Sequence, residues 1–482
     1  MKRLLIILLM TILYVSNTKA NDILLEKPID LNSKENSTLG DFFQKYIGNV
    51  DIENFIKEQI KGNYVPVSLD ECINVALMNN FDIKIKDHEY KSSKYNAQYH
   101  LSKFLPNFET YSYISHYAGQ ILVGGVLSDG FDETAISISL GITHNLTRGG
   151  QEIFEAKAAK YFQKSKKHAK NFTKTQTIYL TSKYYYETLL AKINIEIYLK
   201  NLTERNAQLE LAKSQEKSGF GTHFDVIRAQ SEALDAKSTV INALNDFRSA
   251  QLNLSNTMGI EINTMLMPFE NEITELNLTD LEKNVEEFYN LAIKNREDLK
   301  SNKELIKYER AIKNVYVTDF LPKPYATFHQ QFQGTVATSI YPNYYLAGYL
   351  DWKPGEYLSI GTIKKIQEQK EKVKIKKLEY ENKLRNIEKT ITDSYTTSKF
   401  IQKQIKINKQ RVDFANESIK LAMLRFKYGK GILLDIIQAQ GEATSARVQY
   451  AASIINYNLS QLELIYSCGT INENLIIQNY KP

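Results

Sequence analysis

Two aspartates sit where a carboxylate could do chemistry. Asp225 follows Gly219-Phe220-Gly221-Thr222 and Asp435 follows Tyr428-Gly429-Lys430-Gly431, so each lies just beyond a glycine-containing turn. One helical turn further on stand Arg228 and Gln438. A carboxylate in the first turn of a helix offsets the positive end of the helix dipole, a purely structural task. Thr222-x-x-Asp225 also has the form of a capping box. Ile432 holds the equivalent place before Asp435, so capping explains that residue less well. Enzymatic patterns are missing from the sequence. The seven histidines are scattered without a metal-binding spacing, and there is no phosphate loop and no Gly-x-Ser-x-Gly elbow. Gly219-Phe220-Gly221 joins helix to helix, so it is no dinucleotide fingerprint. The chain is read as a non-enzyme with no cofactor, no metal site and no catalytic residue. Cys72 and Cys468 are too few for a disulfide framework; one bridge and two unrelated thiols both fit.

The start of the chain reads as an export signal. Lys2 and Arg3 precede an apolar core from Leu4 to Val15, and Thr18-Lys19-Ala20 forms a small-x-small cleavage pattern before Asn21. Beyond it no apolar run reaches the roughly 18 residues a membrane helix needs, so any insertion must use strands. The formal charge is +6, but acids and bases alternate as on solvated helix faces, so no nucleic-acid partner is expected. Only 9 prolines in 482 residues permit long uninterrupted helices.

These helices belong to a duplicated unit. Gly219 to Gly259 aligns without a gap with Gly429 to Gly469, matching Asp225 with Asp435, Ala229-Gln230 with Ala439-Gln440 and Gln251-Leu252 with Gln461-Leu462. An earlier block matches Ala76, Asn79, Asp82 and Phe104-Leu105-Pro106 with Ala292, Asn295, Asp298 and Phe320-Leu321-Pro322. Two blocks in one order argue for duplication. Residues 1–20 are then a signal peptide, 21–66 an N-terminal extension with a helical stretch near Asp51 to Ile60, and 67–260 the first repeat. Residues 261–284 form a linker, 285–470 the second repeat and 471–482 a tail.

Within each repeat a modest helix runs to the Phe-Leu-Pro motif, where the proline stops it. Two strands follow, about 108–123 and 134–146 in the first repeat, around turn residues Gly124, Gly125, Asp129 and Gly130. The second repeat has strands at about 325–338 and 344–352, joined near Tyr341-Pro342-Asn343. Ala135 to Ile142 alternates apolar and polar residues, as a strand with two unlike faces must. Tyr111, Tyr113, Tyr117, Tyr325, Phe328, Phe332, Tyr344, Tyr345, Tyr349 and Trp352 crowd these strands; they suit either a membrane–water boundary or the core of a small soluble sheet. Gln151 to Lys217 and Lys364 to Tyr428 then lack Pro and Gly, and each would reach roughly 90–100 Å as a helix. Each returns through a glycine turn as a second helix. Four strands cannot close a barrel, so their edges must pair with other copies.

This order resembles the TolC-like outer-membrane efflux protein family over about residues 67–470. The residues that carry the resemblance are Leu69-Asp70-Glu71, Ala76, Asn79-Asn80, Leu105-Pro106, Leu146-Thr147-Arg148-Gly149-Gly150 and the two turn signatures beginning at Gly219 and Tyr428. The resemblance implies a mainly α chain of two repeats, each a short helix, two strands and a long helical hairpin. It implies a homotrimer with a twelve-stranded β-barrel in outer-membrane lipid, set on a long α-helical periplasmic tunnel. A periplasmic adaptor and an inner-membrane transporter are the implied partners, and the implied cargo is small molecules or secreted proteins. It further places Asp435, Gln438, Asp225 and Arg228 at a pore constriction, and makes Gly219, Phe220, Gly221, Thr222, Tyr428, Gly429, Lys430 and Gly431 adaptor contacts. Three departures stand against the pattern. Trp352-Lys353-Pro354-Gly355-Glu356 replaces a double-glycine element, Gln438 replaces a frequent second acid, and Gly431 replaces an arginine that in some members pairs with the first-half aspartate. Arg228 and Arg425 are the nearby substitutes. The rival reading is a soluble periplasmic coiled-coil scaffold or adaptor.

Overall fold

The computed structural model describes residues 37–38, 63–120, 122–123, 126–127, 131–335, 340–353, 359–428 and 430–472. The export signal, most of 21–66, the turn residues Gly124, Gly125, Asp129 and Gly130, Pro354-Gly355-Glu356, Gly429 and the tail from 473 lie outside these residues.

The chain is mainly helical, and among the described residues no helix is long and apolar enough to cross a membrane. Two short strands, β1 (Ser37–Thr38) and β2 (Asn63–Val67), precede helices α1 (Leu69–Asn79) and α2 (Phe81–Ser102). Strands β3 (Asn107–Gly119) and β6 (Phe131–Asn145) follow, with the small pair β4 (Leu122–Val123) and β5 (Val126–Leu127) between them. Then come the long helix α3 (Gln151–Lys217), its return α4 (His223–Met258) and strand β7 (Leu266–Pro268). The order resumes with α5 (Val285–Asn295), α6 (Glu297–Thr318), β8 (Lys323–Thr335) and β9 (Tyr341–Asp351), and closes with α7 (Ile360–Lys427) and α8 (Leu433–Ser467). Two expectations change. Each modest helix is a pair broken at Asn80 or Arg296, and α2 ends at Ser102, before Pro106 could act. Tyr341-Pro342-Asn343, expected in a connection, open β9.

The chain divides into two compact units, one of Met1–Ile85, Thr173–Arg296 and Ile387–Pro482, the other of Lys86–Phe172 and Glu297–Asn386. The second holds an antiparallel sheet in the order β3-β6-β8-β9. Its register gathers Phe108, Ile114, Ile138, Leu140, Ile142, Phe328, Phe332, Leu346 and Leu350 on one face, where all are exposed. The other face carries Ser137, Ser139, Thr143, Thr327, His329 and Gln331. Tyr111, Tyr113, Tyr117, Tyr325, Tyr341, Tyr345 and Tyr349 join this polar face, because they fall on its register positions. These tyrosines are therefore neither core residues nor a belt on the apolar side, where Tyr344 alone of the strand tyrosines named above stands.

A strained turn, Thr147–Gly150, delivers β6 into α3, with positive φ at Thr147 (60°), Arg148 (42°), Gly149 (66°) and Gly150 (93°). Gly149 rests on Leu321-Pro322, where a Cβ would come within 2.9 Å of the Pro322 carbonyl oxygen. Two motifs from opposite halves of the sequence thus meet. In this unit α2 is tied to α3 by ion pairs: Lys170 to Asp87 at 2.5 Å and Lys166 to Glu89 at 2.7 Å. Hydrogen bonds from Lys170 and Lys91 hold the Asp87 carboxyl at about 2, below its usual range. A depressed carboxylate stabilises the fold above its unfolded pKa, near 3.9, and that contribution is lost as pH falls toward 2. Asp87→Asn is expected to lower stability at neutral pH by about 1 kcal/mol, discounted for partial exposure. Melting curves should converge with those of the parent between about pH 4 and about pH 2; a constant gap would remove the ion pair as the cause.

The first unit holds the largest core, built from Val67, Leu69, Ile73, Tyr185, Leu189, Leu254, Met258, Leu462 and neighbours. Residues 261–284 are packed into it. β7 pairs in parallel with β2, Val65 opposite Leu266, so the end of the N-terminal extension and the linker share one small sheet. Buried Lys192 donates to the carbonyls of Pro268 and Glu270, both at 2.8 Å, and burial pulls its pKa down to about 8. Asn458 and Gln461 of α8 bond the backbone of Thr274, Leu276 and Leu278, and Gln251 of α4 donates to Leu266 at 2.5 Å. Cys72 and Cys468 are both buried here and no disulfide joins them. Burial pushes the Cys468 thiol up to about 12, which makes it inert.

One packing device occurs twice in this unit. Gly259 ends α4 at φ 67° and presses on the break between α1 and α2, where Asn80 donates to the Thr257 carbonyl at 2.8 Å. Gly469 follows α8 at φ 68° and presses on Arg296 at the break between α5 and α6, where Arg296 donates to the Ser467 carbonyl at 3.1 Å.

Candidate functional site

The glycine turns that close the two hairpins are built alike. In the first, Gly219 has φ 75°, and the N–H groups of Phe220 and Gly221 both bond the Gln215 carbonyl, at 3.0 and 3.1 Å. This left-handed closure satisfies the last carbonyls of α3. In the second, the Lys430 N–H bonds the Arg425 carbonyl at 2.8 Å. Gly221 and Gly431 lie in matching cradles, where a Cβ would sit 3.0 Å from Gln215 Cβ and 3.1 Å from Arg425 Cβ respectively. Gly431 therefore serves close packing and offers no side chain to pair with an aspartate. At the surface of the turns Phe220, Phe224, Tyr428 and Ile432 are all well exposed, Phe220 to 90%.

Both aspartates engage the start of their helices. The Thr222 hydroxyl and backbone N–H donate to Asp225 at 2.6 and 3.0 Å, and these bonds, with Arg228 nearby, hold its carboxyl below the usual range. Asp435 accepts from the Ile432 N–H at 3.3 Å. Capping thus reaches Asp435 after all, through the half of the box that uses only the backbone of residue 432. It lacks the reciprocal side-chain bond, since isoleucine has no acceptor.

The hairpins pack side by side through Ala212, Val226, Ala229, Leu433 and Ile437, which brings the starts of α4 and α8 together. Buried Arg205 of α3 donates to the Ile437 carbonyl at 3.1 Å and lies 3.8 Å from Glu232 of α4. Gln208 and Gln440 bond one another.

Asp435 and Gln438 open onto a groove of about 500 Å³ between α7 and α8, together with Glu417, Arg425 and Glu442. Three carboxylates face one guanidinium there. Sequence reasoning missed Glu417 and Glu442. Glu442 stands seven residues after Asp435, two turns along the same helix face, which was a usable signal; Glu417 comes from the partner helix and was not readable. Asp225 and Arg228 lie at the start of α4 and do not line this groove. Among the described residues, no cluster of His, Cys, Asp or Glu is arranged to hold a metal ion.

Residues 72–260 match the outer membrane efflux protein family. No curated protein matches the chain. Its fold is similar to that of the Campylobacter jejuni CmeC outer membrane channel, with a TM-score of 0.75 at 15% identity over 89% of this chain and 95% of that one. It is also similar to the outer-membrane channel OprN (TM-score 0.72, 14% identity, 84% of this chain and 90% of that one). The outer membrane protein VceC of Vibrio cholerae gives a TM-score of 0.70 at 15% identity, over 83% of this chain and 96% of that one. This chain thus bears the sequence pattern of the outer membrane efflux proteins over residues 72–260 and the fold of the TolC-like channels over most of its length.

Proposed function

We propose that three copies of this chain form a non-enzymatic conduit through the outer membrane for small molecules or secreted proteins, served by a periplasmic adaptor and an inner-membrane transporter. The observation that carries the reading is the sheet. Among the described residues its edge strands β3 and β9, of 13 and 11 residues, pair only within the sheet's own four strands, and one face is predominantly apolar and exposed. Such a sheet neither closes alone nor tolerates water on that face. Three times four strands gives twelve, which can close with the apolar face toward lipid.

Helix surfaces support association as well. Ile227, Leu234 and Ile241 on α4, and Phe400, Ile407, Phe414, Leu421 and Tyr428 on and just after α7, are exposed at seven-residue intervals. Seven-residue stripes call for a facing helix. The twice-used glycine device and the repeated element order support the duplicated unit. A soluble scaffold would leave the sheet's apolar face without cover, so the channel reading is favoured. The exposed aromatic turns fit an adaptor contact.

In a trimer Asp435 and Glu442 would each form a ring of three carboxylates, favouring cations in a narrow passage. Asp435→Asn keeps the capping acceptor and removes the charge. Reversal potentials of purified trimers in planar bilayers are expected to move toward lower cation preference in this variant, and further with Glu442→Gln. Wild-type protein that is released with the periplasm, or that gives no conductance, would defeat the channel reading. Unchanged selectivity in the double variant would remove the acidic constriction only.

A further inference from the structure

The tyrosines on the polar face of the sheet have no task in a conduit that merely passes solutes. They are also arranged. The His329 ring stacks on Tyr345 with centroids 5.0 Å apart and planes 9° from parallel, and faces Tyr111 at 6.3 Å and 25°. Tyr111 and His329 belong to strands separated by β6, and they meet because β6 offers Gly141 between them. A Cβ at Gly141 would run into the His329 ring. Ser139 fixes that ring through its Nδ1 at 3.2 Å. Four residues along, Tyr325 and Tyr349 stack at 4.9 Å and 15°. The two aromatic rows therefore lie roughly 13 Å apart on one face.

Charge on this face is one-sided. Glu109 lies in the same cross-strand row as Gly141, His329 and Tyr345, and it accepts from the Tyr111 hydroxyl at 3.0 Å. Glu133 and Asp351 share the face, against Lys323 alone among lysines and arginines at its paired positions. Tyr111 and Tyr345 remain about half exposed. Open π-faces beside a carboxylate attract a flat cation through stacking, the ring quadrupole and Coulomb attraction at once.

We propose that this face is a binding ladder for planar aromatic cations, with Tyr111, His329 and Tyr345 as its first rung and Tyr325 and Tyr349 as its second. The proposal rests on the channel reading in one respect: if the apolar face meets lipid, the ladder lines the lumen and names a class of cargo that dwells there.

The test uses ethidium as the probe and tetramethylammonium as a cation without a ring, on purified full-length trimers in planar bilayers. Ethidium is expected to block current at lower concentration than tetramethylammonium. Tyr345→Leu should weaken that block about fivefold, and Tyr111→Leu with Tyr345→Leu more than about tenfold. Tyr345→Phe, which keeps the ring, should restore it, and Tyr344→Leu on the apolar face should leave it as in the parent. Equal block by both cations, or block unaltered in the double variant, overturns the ladder. Silent wild-type trimers would overturn the channel reading instead. Ethidium fluorescence titrations on the same detergent-solubilised variants would then decide the ladder separately, with the same fold-changes expected.

Discussion

Gly259→Val is expected to remove about 4 kcal/mol of folding stability, enough to lower the melting temperature sharply and to reduce the yield of assembled protein. Two costs add. The residue holds φ 67°, where a β-branched side chain is strained by about 1–2 kcal/mol. A Cβ would also stand 2.6 Å from the Asn79 carbonyl oxygen and 3.1 Å from Asn80 Cα. Those are backbone atoms held between two helices, so the collision cannot be relieved by turning a side chain, and overpacking of this kind costs about 1–3 kcal/mol. Gly219→Val provides the comparison. Its φ of 75° carries the same conformational strain, but nothing lies within 4 Å of the place its Cβ would take. Urea or thermal melts should show Gly259→Val and Gly469→Val well below Gly219→Val. Equal losses at all three positions would mean that strain alone acts and that the helix breaks are not wedged by glycine.

The helices were legible in the sequence because their signals are local. Gln151 to Lys217 lacks Pro and Gly and ends at a glycine turn, and the helix has those bounds. The alternation in Ala135 to Ile142 was equally plain, since a sheet with an apolar and a polar face imposes period two. The side taken by the tyrosines was not read, although their even spacing at Tyr111, Tyr113 and Tyr117 already placed them together. Residue type left a membrane boundary and a soluble core equally open; register put these tyrosines on the polar face. The helix breaks at Asn80 and Arg296 were not read, and the contact each makes, with a glycine more than 170 residues away in sequence, is tertiary.

Of the candidate site, the turns and the positions of the two aspartates beside them were readable from glycine spacing. The surroundings were not. Glu417 reaches the groove from α7, and Arg205 reaches the start of α8 from α3, so neither stands near Asp435 in sequence. The capping bond to Asp435 uses a backbone N–H, which every residue but proline supplies, and so residue identity at 432 gave no warning of it.

Gln251 and Gln461 matched in the sequence without a reason, and the structure supplies one that leads to the last prediction. Each side-chain amide binds linker backbone, Gln251 at Leu266 and Gln461 at Leu276 and Leu278. Gln461 is fully buried, donating to the Leu276 carbonyl at 2.6 Å and accepting from the Leu278 N–H at 3.0 Å. An amide presents one donor and one acceptor side by side, as a neighbouring strand would, so the stretch from Leu276 to Leu278, beyond β7, is held without a strand to pair with. Gln461→Leu keeps the size but strands one buried carbonyl and one buried N–H, at about 1–3 kcal/mol each. A total loss of about 3 kcal/mol is expected, concentrated in the linker because the rest of the core keeps its contacts. Limited proteolysis should therefore cut the variant between 268 and 284 under conditions that leave the parent intact. Gln461→Glu tests the same bond from the other side: it retains the acceptor for Leu278 and, once ionised, loses the donor to Leu276. Its loss should be intermediate at low pH, where the carboxyl can donate, and larger at neutral pH, where a buried carboxylate faces a carbonyl. Cleavage patterns identical to the parent in both variants would show that the linker is held by its apolar residues and not by the paired amide.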